Sequence, residues 1–194
     1  MKDNNVPDWY IESCQRIKYM FPRAHAVAYV MMSYRIAWFK VYYPVPFYAA
    51  YFTTKVADFN SEVVLKGSGA ILARIDEILA KGKNATKKEE DEMTVLEVAY
   101  EMYSRGYEFE PINFGVSDGT KFYEHEGRVL LPFMAVSGIG ETAAKALADE
   151  CRIRPFETIE ELKSRTRISN SNIESLKAMG VLEGMPETDQ LSMF

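Results

Sequence analysis

From Ser13 to Ala57 the chain carries no aspartate or glutamate, yet that window holds six cations, Arg16, Lys18, Arg23, Arg35, Lys40 and Lys55. Twelve of the 25 aromatic rings crowd between Tyr19 and Phe52. A large ring buries on the order of 150–250 Å² when it packs, so such a segment must build a core or present its rings to a ligand. A surface facing nucleic acid needs cations to neutralise phosphates and flat rings to stack on bases. A helical core with a solvated basic face needs the same residues for packing. The net charge of −5 and pI near 5.2 exclude a protein that coats polyanions with its whole surface, and they conceal this segregation.

At 194 residues and 47% hydrophobic, the chain can form one ordinary domain or two small ones, and most of it must be folded. Its apolar runs are short, such as Ala26 to Met32, and the first residues lack the order of a secretory signal. A soluble, cytoplasmic protein with no membrane partner is expected. Cys14 and Cys151 lie far apart with no Cys-x-x-Cys pair, so neither a disulfide framework nor a zinc site is suggested.

Periodicity predicts a mainly α chain with a small β region. Pro7 opens a helix that ends before Pro22, a longer one runs from about Pro22 to Tyr43, where Pro44 and Pro46 stop it, and a short one covers Phe47 to Thr54. Ile71, Leu72, Ile75, Ile78 and Leu79 recur at helical spacing up to Gly82. Thr86-x-x-Glu89 reads as a capping box, and Glu89-Glu90-Asp91-Glu92 then stands in a first turn, solvated and favourable to the helix dipole. Short strands are expected around Phe109 to Phe114, Phe122-Tyr123 and Val129 to Leu131, parted by Asp118-Gly119 and Glu126-Gly127. Thr158-x-x-Glu161 and Ser171-x-x-Glu174 suggest two further capping boxes, Gly180 a stop, and the residues from Met185 a tail without a partner element.

Gly138-Ile139-Gly140 precedes a helix of small residues that includes Thr142 and Lys145. Glycines there allow unusual backbone angles and close approach, Ile139 can plug the gap between helices, and the next helix offers unpaired amides to a phosphate oxygen. That is the core of a helix-hairpin-helix motif, which holds a nucleic-acid backbone without reading bases. A helix-joining turn with no ligand uses the same string equally well. A second helical pair follows, with Lys163, Arg165 and Arg167 near its turn and no acid between Leu162 and Ile173. At the terminus, Gln190-Leu191-Ser192-Met193-Phe194 has the composition of a docking peptide, with apolar side chains for pockets and an amide for the rim.

Taken in order, Trp9-Tyr10-Ile11, Ile17-Lys18-Tyr19-Met20-Phe21-Pro22-Arg23-Ala24-His25-Ala26-Val27-Ala28-Tyr29, Lys40-Val41-Tyr42-Tyr43-Pro44, Phe47 to Thr53, the Gly138-Ile139-Gly140 hairpin and the terminal peptide resemble the carboxy-terminal part of the PolC-type alpha chain of DNA polymerase III, a bacterial C-family replicative polymerase. The resemblance implies four regions: the end of the fingers (1–57), a helical linker (58–106), a duplex-binding domain with tandem helix-hairpin-helix units (107–184) and a flexible tail (185–194). It implies template or nucleotide contact by Lys18, Arg23, His25 and Tyr29. DNA backbone contact would fall to Gly138, Ile139, Gly140, Thr142, Lys145, Arg165 and Arg167, and sliding-clamp binding to Gln190, Leu191, Ser192, Met193 and Phe194. Expected partners are duplex or primer-template DNA, the clamp and the remainder of the polymerase.

Two-metal phosphoryl transfer needs clustered carboxylates, and no Asp-x-Asp occurs anywhere in the chain. Magnesium is therefore expected for a full polymerase and no cofactor for this part, which should not polymerise DNA alone. Met1 would mark an artificial start or an interrupted reading frame. The alternative is a free-standing adaptor that docks on the clamp and performs no chemistry.

Overall fold

The computed structural model describes residues 1–17 and 22–188, which divide into two compact units, Met1–Tyr42 and Tyr43–Phe194. In the first, Pro7 stands at the N-cap of α1 (Asp8–Arg16), and α2 runs over Arg23–Tyr42. Neither helix contains a buried residue. Tyr29, Tyr34 and Phe39 are 65%, 74% and 54% exposed. Apolar side chains surround α2 on all sides, the pattern of a helix enclosed by a larger core.

The second unit opens with α3 (Pro44–Thr54). Pro44 and Pro46 do more than stop α2: they occupy the first turn of α3, where a missing N–H is harmless. Val45, Tyr48, Ala49 and Phe52 of α3 are buried, so this helix, expected with the first 57 residues, belongs to the core that follows. Phe52 meets Phe109 at 5.0 Å and Phe59 at 5.5 Å between ring centroids, and Phe59 meets Phe122 at 4.9 Å. Tyr48 donates to Glu101 at 2.8 Å and accepts from Arg105 at 2.9 Å; burial and the Glu101 hydrogen bond push its phenol up to about 12.

A short α4 (Ser61–Val64) leads into the antiparallel pair α5 (Ser68–Lys81) and α6 (Lys87–Ser104). Ile71, Ile75 and Ile78 face inward as their spacing predicts, while Leu72 and Leu79 stay exposed. The capping box forms: Glu89 N donates to Thr86 Oγ1, and the Glu89 carboxylate accepts from Thr86 N. The acidic run is not uniformly solvated. Glu92 is 8% exposed, gripped by Nε and Nη2 of Arg74 and by Asn60 Nδ2. Burial raises the pKa of Glu92, but those donors together hold it below the ordinary carboxylate range.

Strands β1 (Phe109–Glu110), β2 (Tyr123–His125) and β3 (Arg128–Leu130) form one sheet in the order β1-β3-β2. Phe109 lies opposite Val129 in the parallel pair, and Tyr123 opposite Leu130 in the antiparallel one. Glu126 and Gly127 both take positive φ, as a tight hairpin turn requires. Three helices complete the unit: α7 (Glu141–Ile153), α8 (Ile159–Thr166) and α9 (Asn170–Ala178). Thr158 caps α8 as expected, although the Glu161 carboxylate reaches back to Glu157 N. The cap of α9 is Ser169, two residues before the expected Ser171. Mainly helical structure with a small sheet agrees with the sequence reading.

Candidate nucleic-acid interface

The first hairpin joins the 3-10 turn Phe133–Ala135 to α7. Gly138 has φ +83, a conformation L side chains rarely adopt, and Ile139 is 5% exposed, filling the space between the flanking elements. Gly140 behaves differently. Its φ of −77 is ordinary, and a Cβ built there meets nothing within 4 Å. As the N-cap of α7 glycine is one of several residues that would serve, and no packing contact calls for a bare Cα there. Among the described residues no side chain caps α7, so the amides of Glu141, Thr142 and Ala143 lack a side-chain acceptor. Thr142 is exposed beside them, and the Lys145 ammonium is paired with Glu141 at 2.5 Å on the surface.

The second hairpin repeats the course of the first. Arg167 takes the left-handed conformation of Gly138 (φ +56), Ile168 is 8% exposed like Ile139, and Ser169 stands at the N-cap like Gly140. The register Gly138-Ile139-Gly140 onto Arg167-Ile168-Ser169 puts an exposed arginine at the tip of the second turn. The two hairpins touch through Asn172, whose Nδ2 lies 3.3 Å from where a Gly138 Cβ would be. The same Asn172 side chain accepts from Ser169 Oγ. Gly138 therefore serves both a turn and a close approach.

Arg165 lies elsewhere than its sequence neighbourhood suggests. It is 17% exposed, donates to the Glu150 carbonyl at 2.7 Å, the Arg154 carbonyl at 3.1 Å and the carboxylates of Glu150 and Glu161, and stacks on Phe156 at 4.4 Å. This arginine clasps the end of α7 to α8; Lys163 and Arg167 remain on the surface. A cleft of about 400 Å³ flanks the first hairpin, lined by Asp58, Glu62, Glu92, Lys88 and Ser137 to Ile139. With Glu92 paired to Arg74, Asp58 and Glu62 against Lys88 leave the cleft weakly acidic, a poor setting for phosphate.

Sequence reasoning missed the residues that back the hairpin. A Cβ at Gly119 would lie 2.9 Å from Lys145 Cα, so the Asp118-Gly119 turn presses directly on the α7 backbone. Its carbonyls accept from Phe133 N and Met134 N at 3.0 and 2.9 Å. Burial pushes the Asp118 carboxyl up, but the amides of Thr120 and Lys121 and the Arg152 guanidinium hold it below its usual range. An Asp-Gly pair signals a turn, but nothing local tells which helix the turn will meet.

In the first unit, His25 and Tyr29 come together on one face of α2 with ring centroids 4.6 Å apart, and Arg23 opens that helix. Lys18 and the terminal residues Gln190, Leu191, Ser192, Met193 and Phe194 lie outside the described residues. The chain just before them is held: Met185 packs on the core, and Pro186 and Glu187 bond to α8. The expectation of a tail with no partner element therefore fails for this stretch, because α8 needs acceptors for its first amides. No group of His, Cys, Asp or Glu among the described residues is arranged to hold a metal. Among them also, no helix is long and apolar enough to cross a membrane.

Two exposed-buried-exposed turns, each entering a helix and each plugged by isoleucine, have the form of a helix-hairpin-helix motif, and the family model described as a helix-hairpin-helix motif matches residues 106–191. Similarity extends beyond that region. Across all of this chain it is 54% identical over 194 residues to the "DNA polymerase III PolC-type" of Caldanaerobacter subterraneus, and 48% identical over 195 residues to the protein of that name from Clostridium perfringens. The Bacillus subtilis protein of the same name is 45% identical over 194 residues. The chain is similar to PolC-type DNA polymerase III along its own whole length, and it spans 14%, 13% and 14% of those three proteins.

Proposed function

We propose that this chain supplies duplex grip and clamp attachment to a replicative DNA-directed DNA polymerase. One observation carries the DNA reading: α7 begins with amides that no side chain caps, behind an N-cap glycine, Gly140, whose Cβ position is open. A backbone phosphate would accept from the amides of Glu141, Thr142 and Ala143, with the Thr142 hydroxyl and Lys145 beside it and Arg167 reaching a second phosphate from the equivalent turn. Lys145 would exchange its Glu141 partner for the phosphate. Arg165 acts indirectly, by fixing α8 on α7. Such contacts read no bases and weaken as salt rises.

The remaining roles follow from the relationship to PolC-type polymerases. His25 and Tyr29, with Arg23 and Lys18, would face template or incoming nucleotide, and Gln190 to Phe194 would enter the pockets of a sliding clamp. The remainder of the polymerase would cover the exposed apolar circumference of α2, a feature that favours this reading over a free-standing adaptor. Magnesium would be held by carboxylates of that remainder, so this chain alone is expected not to polymerise, and the cytoplasm is where it would work.

The test is Gly140→Val. The ordinary φ and open space at 140 keep any stability change within about 1 kcal/mol, the scale of a weaker N-cap. Duplex affinity, measured by fluorescence anisotropy over a salt series, should fall about ten-fold, the scale of losing one charge-assisted hydrogen bond. A stable variant that binds duplex as tightly as the parent would reject the phosphate site.

A further inference from the structure

The three helices around the hairpins begin in different ways. The start of α7 has no side-chain cap among the described residues, and Ser169 caps α9. The start of α8 is fully occupied. Glu161 N donates to Thr158 Oγ1 at 3.0 Å, Ile159 N to the Pro186 carbonyl at 3.0 Å, and Glu160 N to the Glu187 carbonyl at 3.0 Å. Two of the three acceptors thus come from the far side of α9.

Three further contacts hold this segment. Gly184, at φ +82, lets the chain turn after the buried Leu182; Met185 packs against the core; and Lys177 Nζ on α9 meets the Glu187 carboxylate at 2.6 Å. The exposed ion pair adds little by itself. Two backbone hydrogen bonds, an anchored methionine and an ion pair acting on the three consecutive residues Met185, Pro186 and Glu187 make a clip between α8 and α9.

We propose that Pro186 and Glu187 are positioning residues, a clip that fixes where the terminal peptide Gln190–Phe194 leaves the second hairpin and so couples DNA grip to clamp attachment. This rests on the clamp reading above. Glu187 precedes Gln190 by three residues, which at full extension reach about 11 Å. Were the clip open, the tether would begin at Leu182, eight residues before Gln190. Effective concentration falls roughly as the −3/2 power of tether length, so closing the clip raises joint assembly on DNA and clamp roughly four-fold with no change in either separate affinity.

The experiment uses the 194-residue chain, a primed duplex and a bacterial sliding clamp. Amide exchange by NMR should find Ile159 and Glu160 protected, and at least ten-fold faster in a chain ending at Glu183, with Leu162, bonded to the Thr158 carbonyl, keeping its rate. Lys177→Glu turns the ion pair into a repulsion and should loosen the same two amides about two-fold, lowering three-way assembly by less than the roughly four-fold of a fully open clip while leaving duplex binding and clamp binding unchanged when each is measured alone. The swap Lys177→Glu with Glu187→Lys should restore both. Amides that exchange equally fast with and without residues 184–194, or assembly that ignores Lys177→Glu, would overturn the clip. A chain that captures no clamp would overturn the clamp reading and the coupling together, and the amide rates tell that failure from failure of the clip.

Discussion

The acid-free aromatic stretch supplies two helices of nearly the same chemistry and opposite fates. In α2 the rings of Tyr29, Tyr34 and Phe39 stay exposed; in α3, a few residues later, Tyr48 and Phe52 are wholly buried. Composition does not separate them. What separates them is supply: α3 is followed by Phe59, Phe109 and Phe122, which converge on Phe52, whereas α2 buries nothing in its own unit. A ring-rich helix is therefore buried only where other elements offer a matching surface, as they do for α3.

The largest expected effect tests this contrast directly. Phe52→Ala removes a fully buried ring from a cluster of phenylalanines and should destabilise the chain by about 3–5 kcal/mol in urea unfolding. Tyr34→Ala, at a position 74% exposed, should stay within about 0.5 kcal/mol. A comparable loss at both sites would mean that α2 packs in solution as α3 does, and would break the comparison.

A smaller effect sharpens it. The second unit holds close approaches that tolerate no added atom, and Gly119 is the tightest of them. Gly119→Ala places a methyl 2.9 Å from the Lys145 Cα, against backbone that cannot swing aside as a side chain could. A loss of about 1–3 kcal/mol is expected, the usual consequence of overpacking. Because the turn backs α7, weaker duplex binding should accompany it. Unchanged stability would show that turn and helix slide freely, leaving the second unit no more sharply specified than the first.

These two sites also show where the sequence was legible. Local rules performed well: Thr86 and Glu89 close the predicted box, Gly180 ends α9 with φ +72, and Gly138 takes the predicted left-handed turn with Ile139 buried behind it. Ser171 is not the cap because the hydroxyl of Ser169, two residues earlier, accepts from Asn172 N, and a cap is decided by which hydroxyl meets the first turn. Long-range facts were illegible. Nothing near Glu92 announces Arg74 and Asn60, nothing near Gly119 announces α7, and nothing in Pro186-Glu187 announces the amides of α8. Arg165 illustrates the same limit for function: a cation beside a turn invites a phosphate, but Glu150, Glu161 and Phe156 engage it first.

The smallest effect expected concerns pH and again falls in the second unit. Hydrogen bonds from Lys81 and from the Thr86 amide draw the Glu89 carboxyl down to about 2. A carboxyl whose pKa is lower folded than unfolded stabilises the fold while both states are ionised, above the ordinary carboxylate value near 4.3. That contribution fades as pH falls through the interval down to about 2. Glu89→Gln keeps the shape of the box but cannot titrate, so it should lower stability slightly at neutral pH and flatten the acid limb of the unfolding curve between about pH 4.3 and 2. Circular dichroism melts taken across that range would read the change. A variant whose acid limb runs parallel to the parent's would show that the Lys81 contact is solvent-screened, and that the start of α6 owes its place to packing of Val95 and Leu96 rather than to charge.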